Sequence, residues 1–156
     1  MNNISHIIEH AERHCSSHGA RLTDKRKRVL SALLESSKAL SAYELVECCK
    51  CEGSNSLSAM SVYRILEFLE SEHLVHRLET VNKYVACEHI TCNHQHTVSQ
   101  FLICTECGKV KETTISKCIA EQLTQALADS GFHMAGSQLE MNCICNDCIA
   151  KAAQKH

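Results

Sequence analysis

Two Cys-x-x-Cys pairs, Cys104–Cys107 and Cys145–Cys148, are separated by residues 108–144. The spacing within each pair lets two thiolates share one tetrahedral ion, and four such sulfurs make a zinc site with no open position. Because the pairs are distant in sequence, a metal there staples a whole folded unit rather than a short loop. Apparent zinc binding energies of about 10–16 kcal/mol in such sites are large beside the about 5–15 kcal/mol net stability of a domain. Cys143, two residues before Cys145, is a rival for its place. The plainer alternative is four unrelated buried thiols.

The chain has twelve Cys and eleven His in 156 residues. Residues 1–10 are polar and lack an apolar signal core, so a reducing, cytoplasmic setting is expected, in which thiols serve as ligands rather than disulfides. No apolar run approaches the roughly 18 residues that span a bilayer. Imidazole and thiolate together favour zinc over hard cations. Cys48, Cys49 and Cys51 read as packing and exposed thiols, and Cys15 and Cys118 as small core residues. His6, His10, His14 and His18 recur every four residues on one helix face, a spacing able to bind metal but read here as a solvated face. Glu47 and Lys50 are one turn apart and able to pair.

The elements that must position these groups follow from periodicity. Ile4, Ile7, Ile8 and Ala11 mark a first helix that Gly19 stops. Thr23 caps a second helix with Val29, Leu30, Leu33 and Leu34 along one stripe. Ser41 opens a third with Leu45 and Val46 inward, running out near Gly53. A fourth follows Ser58 with Val62, Ile65, Leu66 and Leu69 on one face. Leu74–Glu79 and Lys83–Cys87 form a hairpin. Val98–Ile103 and Lys109–Thr113 read as strands, Ile115 to Leu127 as a helical stripe, and Phe132–Met141 as a further extended segment.

Helices followed by a hairpin are the order of a winged helix-turn-helix, whose last helix enters the major groove of DNA. The expected fold class is therefore α+β. A winged-helix DNA-binding domain occupies 1–86, a linker carrying metal ligands 87–97, and a small α/β dimerisation domain with a structural zinc 98–156. Net charge is −2, so polyanion binding has to come from a local patch. The candidate is the run Lys25, Arg26, Lys27 and Arg28, joined by Arg21 and Arg64; alone, that run would be an ordinary solvated helix face. Ser61, Tyr63 and Arg64 open the groove-facing helix, Arg being suited to bidentate bonding with guanine. Tyr43 reaches a thymine methyl or a phosphate, and a half-buried structural role is the alternative for Tyr63.

Three stretches, Arg21-Leu22-Thr23-Asp24-Lys25-Arg26, Ser61-Val62-Tyr63-Arg64-Ile65-Leu66 and Cys104-Thr105-Glu106-Cys107-Gly108-Lys109-Val110, resemble the ferric uptake regulator (Fur) superfamily. Leu40-Ser41-Ala42-Tyr43, Val75-His76-Arg77-Leu78-Glu79 and Tyr84-Val85-Ala86-Cys87 are most similar to its zinc uptake regulator branch. The resemblance implies a homodimeric, zinc-responsive repressor of zinc uptake genes that binds double-stranded operator DNA. It also implies two zinc ions per chain, one structural and one regulatory, with the regulatory ligands at His76, Cys87, His96 and Glu112. His89, His94 and Cys92 are alternatives to His96, and a solvated carboxylate is the alternative for Glu112. Two neutral imidazoles, a thiolate and a carboxylate balance a divalent charge, which lowers the cost of burying it. Two departures are mild: Asp24 stands where the family carries Pro, and Ser61 where it carries Thr. The His-rich run that iron and peroxide sensors carry before the first Cys-x-x-Cys is replaced by Thr97–Ile103.

Two other readings compete. One keeps the fold and makes iron, manganese or peroxide the inducer; the Cys87 thiolate argues against hard-metal sensing. The other is a zinc hydrolase or deaminase, since His10-Ala11-Glu12 matches half of a deaminase signature. Those enzymes have Pro before a single Cys pair and an open metal position, and this chain has no Pro.

Overall fold

The computed structural model describes residues 2–50, 56–92 and 98–155. Cys51, Gly53, His94 and His96 lie outside the described residues. The chain separates into two compact units, Met1–Asn93 and His94–His156.

The first unit begins with α1, Asn2–Ser17, which buries Ala11 and Cys15. Gly19 ends it at φ 73°, a left-handed turn that lets Ala20 N–H donate to the Cys15 carbonyl at 2.9 Å. In α2, Asp24–Glu35, the Thr23 hydroxyl accepts from Arg26 N–H and Val29, Leu30 and Leu33 turn inward. α3, Ala42–Cys48, opens on a reciprocal capping box between Ser41 and Glu44. α4, Ala59–Ser71, is capped by Ser58 and buries Val62, Ile65, Leu66 and Leu69. These stripes meet in one apolar cluster that also includes Leu22, Leu45, Leu74 and Tyr84. Each fully buried Leu there contributes about 1.5–3 kcal/mol relative to exposure.

A left-handed His73 (φ 59°) leads from α4 into the wing: β1, Val75–Leu78, pairs antiparallel with β2, Lys83–Ala86. Asn82, at φ 51°, makes the hairpin turn and accepts from the Arg77 guanidinium at 2.9 Å. Leu40 exchanges both backbone hydrogen bonds with Tyr84, at 2.9 and 2.8 Å. This extra rung anchors the wing to the segment before α3, and no periodicity announces a one-residue bridge.

The second unit is a three-stranded sheet in the order β4-β3-β5. β3 (Ser99–Cys104) pairs antiparallel with β4 (Val110–Thr114) and parallel with β5 (Gln138–Cys143). A parallel neighbour requires a crossover, and α5, Lys117–Asp129, lies in that connection. Ser99, Phe101 and Ile103 of β3 are buried in alternation, as one inward sheet face requires. Two expectations need correction. Cys118 is exposed rather than a core residue, because no residue of α5 is buried in the chain. Ile115 precedes the α5 N-cap, Ser116, and so lies outside the helix. A further helix, α6 (Asn146–Gln154), begins within the second Cys pair and extends the expected β-β-α-β order. Its Ile149, Ala152 and Ala153 were readable as a helical stripe, but the nine-residue element is short. Among the described residues no helix is long and apolar enough to cross a membrane.

Candidate metal centres and nucleic-acid face

The sheet brings the two Cys-x-x-Cys pairs together inside the second unit. Cys104 ends β3 and stands in register with Cys143 at the end of β5. The first pair folds into a tight turn in which Gly108 N–H donates to the Cys104 carbonyl at 2.9 Å, with Gly108 at φ 76°. The second pair opens α6, with Cys145 as its N-cap residue. The four sulfurs of Cys104, Cys107, Cys145 and Cys148 lie within 4.8 Å of one another, and Cys143 is outside the set. Cys104 Sγ is 3.9 Å from Cys148 Sγ, and Cys107 Sγ is 3.7 Å from Cys145 Sγ. A tetrahedral ion with metal–sulfur bonds near 2.3 Å needs sulfur–sulfur edges of about 3.8 Å. The donor set fits zinc in both chemistry and size.

The local electrostatics favour a thiolate. Backbone N–H groups of Cys145 and Cys107 aim at the Cys104 sulfur and hold its pKa down to about 6, the Cys145 bond, at 3.3 Å, being the largest influence. Cys148 is pushed up to about 12, first by hydrogen bonding with the Cys145 thiol and then by burial. Without a cation the Cys104 sulfur carries the charge and Cys148 keeps its proton. Binding of a divalent cation to thiolates releases such protons.

A second set of soft donors lies at the base of the wing. Cys87 N–H donates to the Leu74 carbonyl at 2.9 Å, continuing the register of Val75 with Ala86 one step further. That register puts His76, opposite Val85, and Cys87 on one face of the hairpin as diagonal neighbours. A ring nitrogen of His76 and the Cys87 sulfur lie within 4.8 Å of one another. Cys87 is buried and its sulfur accepts from His89 N–H at 3.4 Å, while Cys92 is exposed. In the second unit, Glu112 sits on β4 opposite Phe101 and is only 4% exposed, unlike a solvated carboxylate. Burying a carboxylate demands a compensating partner.

The face expected to meet DNA belongs to α3 and α4. Tyr43 and Tyr63 are exposed and pack edge-on, ring centroids 6.4 Å apart, with Arg64 exposed beside Tyr63. The Ser61 hydroxyl accepts from Ser58 at 2.9 Å, next to the cap that starts α4. The basic run of α2 is less uniform than its composition. Arg21 and Lys25 are exposed. Arg26 donates to the Arg21 carbonyl at 2.6 Å and stacks 3.5 Å from the Phe68 ring centroid. Lys27 pairs with Glu12 of α1 at 2.9 Å, and Arg28 donates to the Cys49 carbonyl. Of the three oriented inward, Arg26 is the one the sequence suggested for DNA. Glu12, the acidic residue of the deaminase-like triplet, is thus a partner of Lys27.

Two tertiary contacts had no sequence signal. Lys83 of β2 bonds the Glu44 carboxylate at 3.0 Å and, with Ser41 N–H, holds that carboxyl below its usual pKa. Glu72, the C-cap of α4, gathers His14 of α1 and His18 just past the end of that helix. Their four-residue spacing by itself suggests no more than a solvated face.

Comparison with known proteins gives a consistent picture. A model of the ferric uptake regulator family matches residues 17–142. The zinc uptake regulation protein of Escherichia coli (strain K12) is 31% identical over 150 residues, covering 96% of this chain and 85% of that protein. A structure described as a zinc uptake regulator complexed with zinc and DNA superposes with a TM-score of 0.84 at 28% identity, over 98% of this chain and 99% of that one. The holo form of XcZur gives 0.74 at 34% identity, over 92% and 96% of the two chains.

Proposed function

The chain belongs to the ferric uptake regulator family, and from that premise we propose that it is a zinc-responsive, sequence-specific DNA-binding repressor of zinc uptake genes. The family consists of transcription regulators, so its zinc serves structure and sensing rather than turnover. The observation that carries the reading is the sharing of one unit by two functions. The unit that exposes Tyr43, Tyr63 and Arg64 also holds His76 and Cys87 at the base of its wing. A nitrogen–sulfur pair there gives a borderline cation a direct hold on the DNA-reading module, and the thiolate selects zinc over iron or manganese.

Two zinc ions per chain are proposed. Cys104, Cys107, Cys145 and Cys148 hold the structural ion. His76 and Cys87, with His96 from the connector and Glu112 from the second unit, hold the regulatory one; His89, His94 and Cys92 are the alternatives to His96. The homodimer is supported by what the second unit leaves uncovered. Ile119, Phe132, Met141, Ile144 and Ile149 are all exposed, an apolar set suited to a partner copy. A two-fold dimer then reads a symmetric operator, with Arg64 and Tyr63 at base edges and Arg21 and Lys25 on phosphates.

A ligand shifts such an equilibrium only through its differential affinity for the DNA-competent state. Couplings of about 1–3 kcal/mol correspond to roughly 5–150-fold in operator affinity. The test uses DNA selected from a random pool by the zinc-loaded protein. At fixed salt, zinc should tighten binding within that range, and Cys87→Ser should abolish the difference. Equal affinity with and without zinc removes the sensor role and leaves only a DNA-binding protein.

A further inference from the structure

The histidines spaced along α1 do not share one environment. His14, in the last turn of α1, and His18, one residue past its end, turn onto Glu72, the C-cap of α4. His18 Nδ1 is 2.9 Å from Glu72 Oε2. His14 Nε2 is 3.7 Å from the same oxygen and 3.0 Å from the Glu72 carbonyl oxygen. All three ligand atoms fall within 4.8 Å of one another, and the two rings pack edge-on with centroids 4.5 Å apart. The backbone explains the convergence: Glu72 is the C-cap of α4, and left-handed His73 then swings the chain into β1.

Two imidazole nitrogens and one carboxylate oxygen are a borderline-metal donor set. Tetrahedral zinc with nitrogen and oxygen ligands at 2.0–2.2 Å places neighbouring ligand atoms about 3.4 Å apart. The 2.9 and 3.7 Å separations straddle that value. The histidine side chains are 33% and 53% exposed, so a cation enters from solvent, whereas the Glu72 side chain is 13% exposed and held in place. We propose that His14, His18 and Glu72 form a further zinc site, with three protein ligands and one position open to water. It is separate from the cysteine cluster and from His76 and Cys87. With one negative charge and no thiolate it is the weakest of the three sets and fills last. In the metal-free state protons bridge these nitrogens and oxygens; on binding, each ring moves its proton to the other nitrogen. Occupancy ties the C-terminal end of α1 and the turn after it to the end of α4, just before the wing.

The experiment titrates the full-length protein with zinc alone, free zinc being set by a chelator buffer, and counts bound zinc per chain. His18→Ala should bind one zinc fewer than wild type at the highest free zinc and keep the tighter ions. Glu72→Gln should weaken the last step at least about ten-fold. Equal zinc counts in wild type and His18→Ala overturn the proposal. So does an unchanged last step in Glu72→Gln, which would reveal only an adventitious pair of histidines. Ring-proton resonances of the wild type give a check without any variant. In the last step the His14 and His18 signals should shift together, and movement confined to His6 and His10 overturns the assignment.

Discussion

The two units achieve stability by different means. In the first, four helices and the hairpin converge on an apolar cluster in which Leu30, Leu45, Leu66 and Leu69 are fully buried. In the second, the buried residues Ser99, Phe101, Ile103, Cys104 and Glu112 all lie on β3 and β4, while α5 and α6 bury nothing. The first unit has a hydrophobic core of its own. Small units short of core generally rely on a metal or a partner surface, and in the proposed function the second unit draws on both, through its four clustered thiols and its exposed apolar side chains. A DNA-reading head whose core is independent of metal can be biased by zinc without being unfolded by its loss.

The contrast is broken most directly at the cysteines. Cys104→Ser, or exhaustive chelation, should unfold the second unit and abolish dimerisation, since about 10–16 kcal/mol of zinc binding is removed. Circular dichroism should still report the helices of the first unit. Loss of both units together would show that the first core is not self-sufficient. Next in size is Leu66→Ala, which opens a cavity in the first core and should cost about 2–5 kcal/mol. Denaturant unfolding should show the loss while the cysteine cluster retains its zinc.

Cys87→Ser should be smaller in energy and larger in consequence. Zinc counting should find one tight ion fewer, and operator binding should lose its zinc dependence, with the thermal midpoint of the first unit nearly unchanged. The smallest effect is expected at Glu44, where the clamp to Lys83 is partly exposed and screened. Glu44→Gln should cost less than about 1 kcal/mol at neutral pH. Because folding lowers this carboxyl's pKa, its contribution is complete above the unfolded value and disappears as pH falls through the folded one. The difference between Glu44→Gln and wild type should therefore close in acid, and a difference that persists there would assign the effect to packing.

Helix stripes were legible because each one is a local pattern. Val62, Ile65, Leu66 and Leu69 repeat at helical spacing, and Thr23, Ser41 and Ser58 are cap residues wherever they occur. The four-thiol cluster was legible because Cys-x-x-Cys is itself a chelating geometry. Cys118 was misplaced for the opposite reason: an apolar stripe does not say whether its own chain or another covers it. The choice of Cys145 over Cys143 as the fourth sulfur depended on where β5 ends and α6 begins.

By itself, then, the amino-acid order determined the helices, the hairpin, the paired cysteines and the family likeness, all of which rest on neighbours within a few residues. Only the tertiary structure decided that Arg26 stacks on Phe68, that Lys27 turns to Glu12, and that Glu72 collects His14 and His18. Such pairings join residues 15 to 58 positions apart. Their geometry follows from how whole elements pack, and a linear pattern does not carry that information.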